Sequence, residues 1–554
     1  MANQYFRIKI VFLLCCLDEV EIDMITRVSY SITPGMSDSW DVVVIGGALS
    51  GSSTALLLKR KDPTLRVLLI EKNTAFKRRV GEATVEASGY FLCRVLGLTS
   101  FLTQTQMSKN GLRFWFANKA AENLGDCSEI GGKYLSTVPS FLVDRSVLDE
   151  EVLSRAIAAG VEVMRPGLVK KVDLSDGGEQ TIHVESEEGE KCIRARWVVD
   201  ASGVRCLLAR QNGWIRPNDD HPTVVGWSRW RNCGDWDGEE FSRNNPSFSR
   251  PYVGIRGTAT NHVVGDGWWA WFITLKGGDT SIGLVIDQRL ASWPGGNVPL
   301  EEKIRGFLSS HPAAKEIMKN AAMVSGDVNF RRNLPYSSTR QSGNGFVLTG
   351  DALAFIDPFY SPGMDWIAFS SIAAVRMIMQ WREGKEMPPL LEKNNDEFAK
   401  SYRRMYEALY RNKYDYMGDY DLMGLAFRLD ISFYYLFIAG TVFQGGEEGF
   451  SEPPFSSFKA VPIFALMRFY NNRFAAMGRK RRELGTFGKN NSGKRDLFPG
   501  FNFNKIHLFK IVVRAIVGWA ILEVTEGWRS WFEDRRPSAD AVLEKDLGVA
   551  GLAA

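Results

Sequence analysis

Cysteine is scarce and unpatterned in this chain. Seven residues, Cys15, Cys16, Cys93, Cys127, Cys192, Cys206 and Cys233, are scattered over 554 positions, and no two form a C-x-x-C pair. An odd, dispersed set excludes a disulfide framework and a thiolate zinc site, and suits a reducing compartment; a cytoplasmic location is the expectation. The five histidines show no metal-ligand spacing, so no metal site is expected. Neither sign of charge dominates. Sixty-eight Lys and Arg stand against 64 Asp and Glu, a net charge of +4, which gives no reason to expect a nucleic-acid partner. No run reaches the ~18 uncharged apolar residues of a transmembrane helix. What is plentiful is aromatic surface: 16 Trp and 34 Phe. It implies a deep apolar interior or a site for a flat aromatic ligand. The length suits about two or three domains.

Residues 1–40 read as a leader. Ile10 to Leu17 is a short apolar run after Arg7 and Lys9, but Asp18-Glu19-Val20-Glu21 follows at once, without a clear small-residue cleavage site. Met36 lies five residues before Asp41, so residues 1–35 are expected to be an upstream extension that folding does not need. Val42-Val43-Val44-Ile45 is the continuous apolar run of a strand buried on both faces. A helix over Ser52–Arg60 and a strand over Arg66–Glu71 complete a βαβ unit. Residues 146–159 read as a helix, and Val161 to Val163 starts another strand. Thr181–Glu185 and Cys192–Val199 read as strands around a turn. Residues 221–290 are strand-like and rich in Trp, and 345–380 return to strand, loop and helix. The fold class is therefore α/β: a nucleotide-binding βαβ domain over 41–384, an inserted antiparallel sheet over about 221–335, and a mostly helical region over 385–554.

Gly46-Gly47-Ala48-Leu49-Ser50-Gly51 sits where the first strand meets its helix. A dinucleotide pyrophosphate needs close backbone approach and a helix N-terminus. Gly46 allows the tight turn and Gly51 the close helix–sheet packing, while Ala48 replaces the middle glycine of the usual pattern. Glu71, 20 residues after Gly51, ends the second strand beside Lys72, where an acid can bind ribose hydroxyls. An ordinary βα turn is the plainer alternative.

Three further elements resemble those of the flavoprotein hydroxylases: Asp144-Arg145 followed by Asp149, Val198-Val199-Asp200-Ala201-Ser202-Gly203, and Gly350-Asp351-Ala352. Each alone fits a capped helix or a turn. Their order and spacing imply that the cofactor is FAD, bound through Gly46, Gly47, Ala48, Ser50, Gly51, Glu71, Lys72, Arg145, Asp200, Gly203, Gly350, Asp351 and Gly363. Four local matches resemble the flavin-dependent halogenase branch. They are Gly81-Glu82-Ala83-Thr84, Lys109-Asn110-Gly111 with Phe114, the Trp268–Thr274 strand, and Phe355-Ile356-Asp357-Pro358 leading to Ser361-Pro362-Gly363. Strand alternation puts Trp269, Trp271 and Ile273 on one face; a wall of sheet core is the bland alternative.

The resemblance implies that Glu82, Ala83 and Thr84 lie beside the flavin and that Ser361, Pro362 and Gly363 mark the halide site. It implies FADH2 from a separate flavin reductase, and a bromide or chloride ion oxidised to hypohalous acid. Trp269 and Trp271 then bar the flavin from the substrate, and Lys109 passes the halogen to an electron-rich phenol, pyrrole or indole, free or tethered to a carrier protein. An amine acting as a nucleophile must be neutral, so Lys109 should be buried with a lowered pKa; a solvated surface charge is the alternative. Two positions depart from the family. Thr274 replaces a proline. Pro362 replaces a small hydroxyl residue and supplies neither a hydroxyl nor an N–H to an anion, and Asp365 in the same helical turn would repel one. A monooxygenase or reductase of the same fold therefore stays open as the second reading.

Two features fall outside the resemblance. Val512, Val513, Ile516, Val517 and Ala520 recur at helical spacing, as in a core-facing helix or, alternatively, one lying on a membrane surface. Arg473 to Arg495 is dense in Lys, Arg, Gly and Asn, which reads as a solvated loop or a docking patch for an acidic partner.

Overall fold

The structure is a computed structural model, and it describes residues 39–244 and 254–531. The expectation for residues 1–35 lies outside these. The first strand, Ser39–Ile45, begins two residues before the expected boundary and is central in a parallel sheet. Val67–Ile70 flanks it on one side and Gly189–Asp200 on the other, with Val43 opposite both Leu68 and Val198. Glu162–Met164 and Phe346–Leu348 extend the two edges in parallel. Val42, Val43 and Val44 are fully buried, so both faces of the strand are covered; hence the unbroken apolar run. Gln180–Ser186 pairs antiparallel with the start of Gly189–Asp200, and Gly167–Asp173 pairs in turn with it.

The second sheet is wider than the expected 221–335. Thr223–Arg231, Thr280–Asp287, Trp268–Thr274 and Thr260–Gly265 form its antiparallel centre. Leu112–Phe116 then joins parallel to Thr260–Gly265, Ser128–Gly132 follows, and Arg495–Phe498 closes the row. Lys109 thus lies three residues upstream of a strand of this sheet, and the C-terminal region supplies the far edge. Trp268–Thr274 alternates as expected. Ala270 and Phe272 pack outward into a core with Trp115, Trp236 and Ile304, while Trp269, Trp271 and Ile273 face the parallel sheet's domain.

The helical region begins with Gly363–Arg382, whose first turn lies beside the cleft, and continues through Met387–Met405, Tyr420–Tyr434 and Val461–Glu483. The helical run Tyr420–Phe450 is long and apolar enough to cross a membrane, but two-thirds of its most apolar window, 67%, is buried inside the fold. Two expectations are corrected here. Arg473 to Glu483 is not a loop: it completes the Val461–Glu483 helix, and two of its arginines reach acids distant in sequence. Arg473 binds Glu523 at 2.8 Å, and Arg481, 2% exposed, reaches Asp419, Asp421 and Glu526. The helix expected around Val512 exists as Lys505–Thr525, yet it is not core-facing. Only Leu508 and Ala515 are buried, because the helix rests on Tyr420–Tyr434 along one edge, with Gly518 close against Leu425.

Candidate active site

The turn after the first strand is defined by backbone. Gly46 has φ +99°, and a Cβ there would fall 2.5 Å from the Ala201 carbonyl oxygen. A Cβ on Gly51 would stand 1.9 Å from the Gly46 oxygen. Neither position accepts another residue without displacing the turn. Ala48 is the N-cap of helix Leu49–Lys61 with extended backbone. The Gly47 N–H donates to Glu71 Oε2 at 2.8 Å, and Glu71 Oε1 accepts from the Asn73 N–H and side-chain amide. The Ser50 hydroxyl donates to Thr349 at 2.9 Å and so draws the turn against Gly350-Asp351, where Gly350 has φ +57°. The helix N-terminus, the glycines and the acid at the strand end fit a dinucleotide. Lys72 is exposed beside Glu71.

Not every expected ligand residue faces the cleft. Asp200 is fully buried, and its carboxylate accepts the N–H groups of Ser202 and Leu208 at 3.0 and 2.7 Å. It shapes the turn that presents Gly203 and Val204. Thr84 is likewise consumed: its hydroxyl accepts the Phe141 N–H at 2.7 Å and its carbonyl accepts Lys109. Gly81, Glu82, Ala83, Arg145 and Asp351 do line a cleft of about 1320 Å³. Burial raises the Asp351 carboxyl above the usual range, opposed by Arg145, Arg331 and Arg79. Glu82 is pushed up to about 6 by burial, although Arg229 binds it at 2.7 Å.

Trp269, Trp271 and Ile273 form the opposite wall of this cleft. Both indoles are fixed by hydrogen bonds. Trp271 donates to the Ser281 hydroxyl at 3.1 Å; Trp269 donates at 2.8 Å to Tyr414, which donates at 2.9 Å to Asp357 Oδ2. His221 Nε2 lies 2.8 Å from the same oxygen.

A second cavity, about 770 Å³ and almost wholly apolar, adjoins the cleft. Pro362, Trp366 and Met405 line both and form the partition between them. Asp365 faces this chamber. Its carboxylate accepts the Ser88 N–H at 2.8 Å and the Tyr434 hydroxyl at 3.4 Å. Burial pushes Asp365 up to about 7, partly relieved by Ser88 and reinforced by Glu86. Lys109, 3% exposed, donates from Nζ to the Thr84 carbonyl at 2.6 Å. Burial lowers its pKa to about 8, against the pull of Glu86 and Asp365. The amine is therefore neither a surface charge nor a tight ion pair.

The loop before the helix is strained. Tyr360 and Ser361 both have positive φ, +66° and +57°, each costing roughly 1–2 kcal/mol in a residue with a side chain. The Ser361 N–H is spent on the Pro358 carbonyl at 3.0 Å. Pro362 caps the helix, leaving the first-turn N–H groups, that of Gly363 foremost, without intrahelical acceptors. The space around the Gly363 Cα is open.

The family model described as tryptophan halogenase matches residues 41–133 and 128–415. The chain belongs to the tryptophan halogenase family. Among curated relatives, the flavin-dependent halogenase armH5 of Armillaria mellea is 25% identical over 362 residues, covering 62% of this chain and 65% of that protein. The match therefore takes in less than two-thirds of the relative's length. A 1H-pyrrole-2-carbonyl-[peptidyl-carrier protein] chlorinase of Pseudomonas fluorescens is 25% identical over 419 residues, covering 72% and 86%. Among solved structures, the crystal structure of halogenase PltM superposes with a TM-score of 0.68 at 17% identity, covering 86% of this chain and 96% of that one. This likeness is one of fold.

Within the halogenase frame, several groups escaped the sequence reading. His262 lines the cleft, stacks on Phe114 at 4.8 Å and is pushed down to about 3 by burial, so it stays neutral. Alternation along Thr260–Gly265 would have placed it there once the strand was recognised. The chamber's acids were visible only as helix and loop residues. Tyr414 and Asp430, which hold the site loop, carried no local signal, since their partners lie 57 and 70 residues away.

Proposed function

We propose that the chain is an FAD-dependent halogenase acting on an electron-rich, largely apolar arene: a phenol, pyrrole or indole, free or carrier-tethered. The observation that carries this reading is the pair of cavities. A cleft suited to a dinucleotide and an apolar chamber share a wall, and a buried lysine with a depressed pKa lies behind the chamber's lining, coupled to the lining residue Asp365. Reduced FAD, supplied by a separate reductase, together with dioxygen provides the two oxidising equivalents that turn a halide into hypohalous acid.

The protein's part is to hold and direct. Gly46, Gly47, Ala48, Ser50 and Gly51 seat the pyrophosphate, Glu71 faces the ribose, and Arg145 and Asp351 border the remainder. Trp269 and Trp271 close the wall, and their anchored N–H groups keep the indoles from swinging aside. The halide sits at the N–H groups that open helix Gly363–Arg382. Asp365, in the same turn, does not oppose it strongly, because its carboxyl turns toward Ser88 and Tyr434 and is close to half-protonated near neutral pH. Lys109, which must turn from the Thr84 carbonyl to reach the chamber, would donate a hydrogen bond to hypohalous acid or, when neutral, take the halogen on its lone pair. The arene gains the halogen and loses a ring proton, and Asp365 is placed to accept it.

One observation favours a second reading. Pro362 brings no donor and Ser361 has spent its N–H on the Pro358 carbonyl, keeping only its hydroxyl, so halide is held by few groups; an oxygenase of the same fold would need none. Incubation with a flavin reductase, FAD, NADH, bromide and a panel of arenes, followed by mass spectrometry, decides between them. Brominated product is expected. Hydroxylated product alone, even at high bromide, would move the assignment to a monooxygenase.

A further inference from the structure

The C-terminal helix Lys505–Thr525 presents its apolar side outward. Ile506, Phe509, Val517, Ile521 and Val524 are 53–79% exposed. At 100° per residue they lie along one stripe about 27 Å long, and monomeric proteins seldom leave so long an apolar strip uncovered.

The charges around the stripe are all of one sign. Lys510 and Arg514 are exposed beside Val517 and Ile521, and neither has an ion-pair partner among the described residues. The acids of this segment are withdrawn. Glu523 is held by Arg473 and by the indole N–H groups of Trp519 and Trp531, and Glu526 by Arg481. The Trp531 ring itself stays exposed at the far edge of the stripe, its polar end tied down and its apolar body free. An amphipathic stripe flanked by free cations and a half-anchored tryptophan matches what an anionic bilayer surface offers: acyl chains below, phosphates above.

We infer that this helix docks the protein on the surface of an anionic membrane, lying in the interface plane. A second copy of the chain fits less well. Lys510 falls within the stripe, and an apolar protein interface would bury its ammonium without a partner. On a bilayer its stem lies along the acyl boundary while the ammonium reaches the headgroups.

Flotation of the full chain with phosphatidylcholine vesicles, with and without phosphatidylserine, tests this. The wild type is expected to float with the phosphatidylserine vesicles. V517E/I521E, at exposed positions, should keep the fold by circular dichroism and stay at the bottom. K510Q/R514Q should bind those vesicles roughly thirtyfold more weakly, at about fivefold per cation. Failure of the wild type to float with either vesicle would overturn the inference. So would a concentration-dependent dimer, seen by sedimentation without lipid, that V517E/I521E dissolves while the wild type fails to float; the face would then be an interface between copies.

Discussion

The Gly46–Gly51 turn and the Asp357–Ser361 loop are both held close to the parallel sheet's cleft, but they are fixed in opposite ways. The turn is set by what it lacks: a Cβ on Gly46 or Gly51 would collide with backbone. Its contacts run to neighbouring strands of one sheet. The loop is set by side chains reaching in from the helical region. Tyr410 donates to the Phe359 carbonyl at 3.2 Å, Tyr414 to Asp357 at 2.9 Å, and Tyr360 donates at 3.0 Å to Asp430, which also binds the buried Lys413 at 2.7 Å. The clamp keeps two left-handed residues in place against their preference. The turn is thus a property of the local chain, whereas the loop depends on residues 50 to 70 positions away. The two should fail separately.

The largest break expected is Gly51→Val. Its added atoms must push the helix from the sheet, so flavin binding, followed by fluorescence titration, should vanish. Measurable binding would mean that the turn can yield. Lys109→Met comes next. It keeps the stem and deletes the amine, so product formation should fall by roughly 10²–10⁴-fold, the usual range for a positioned acid–base or donor group, with flavin affinity unchanged. In the wild type the rate should climb with pH and level off above about 8, as the amine loses its proton. Full turnover in Lys109→Met would remove the lysine from the chemistry.

Pro362→Thr sharpens the comparison in the other direction. It adds a hydroxyl and an N–H beside Gly363, and each hydrogen bond to a charged group contributes roughly 1.5–3 kcal/mol, up to about a hundredfold in halide affinity. Chloride should gain at least as much as bromide. An unchanged halide requirement would place the anion elsewhere. The smallest effect is expected from Tyr360→Phe, which removes the hydroxyl bound to Asp430. Halide-dependent turnover should drop about tenfold, in line with one lost bond to a carboxylate, while flavin affinity holds. A parallel fall in flavin affinity would show that the clamp supports both sides.

The same contrast explains what the sequence disclosed. The glycine turn, Glu71, Gly350-Asp351 and the Trp strand announce themselves within a few residues, because backbone conformation and strand alternation are local. The clamp does not, since nothing near Tyr414 or Asp430 indicates a partner on the site loop. Basic density misled at Arg473 to Glu483 for a related reason: Arg481 is neutralised by Asp419, 62 positions away. Periodicity found the helix around Val512 but could not say whether its apolar side meets protein or not. Burial of Lys109 was expected from chemistry rather than from pattern. Its neighbours Glu86 and Asp365 become neighbours only when the first turns of two helices meet through the Ser88 N–H.

The chamber's far wall, from Asp430 and Ile431 through Tyr434 and Ile438 to Phe455 and Met467, lies beyond residue 415, where the family-model match ends. The near wall, through Val85, Leu112, Tyr360 and Trp366, belongs to the matched stretch. The chamber is thus assembled from both sides of that boundary, and its far wall is the part on which the family match is silent. A search for the natural substrate gains more from varying Ile431 and Ile438 than from comparing the Trp strands.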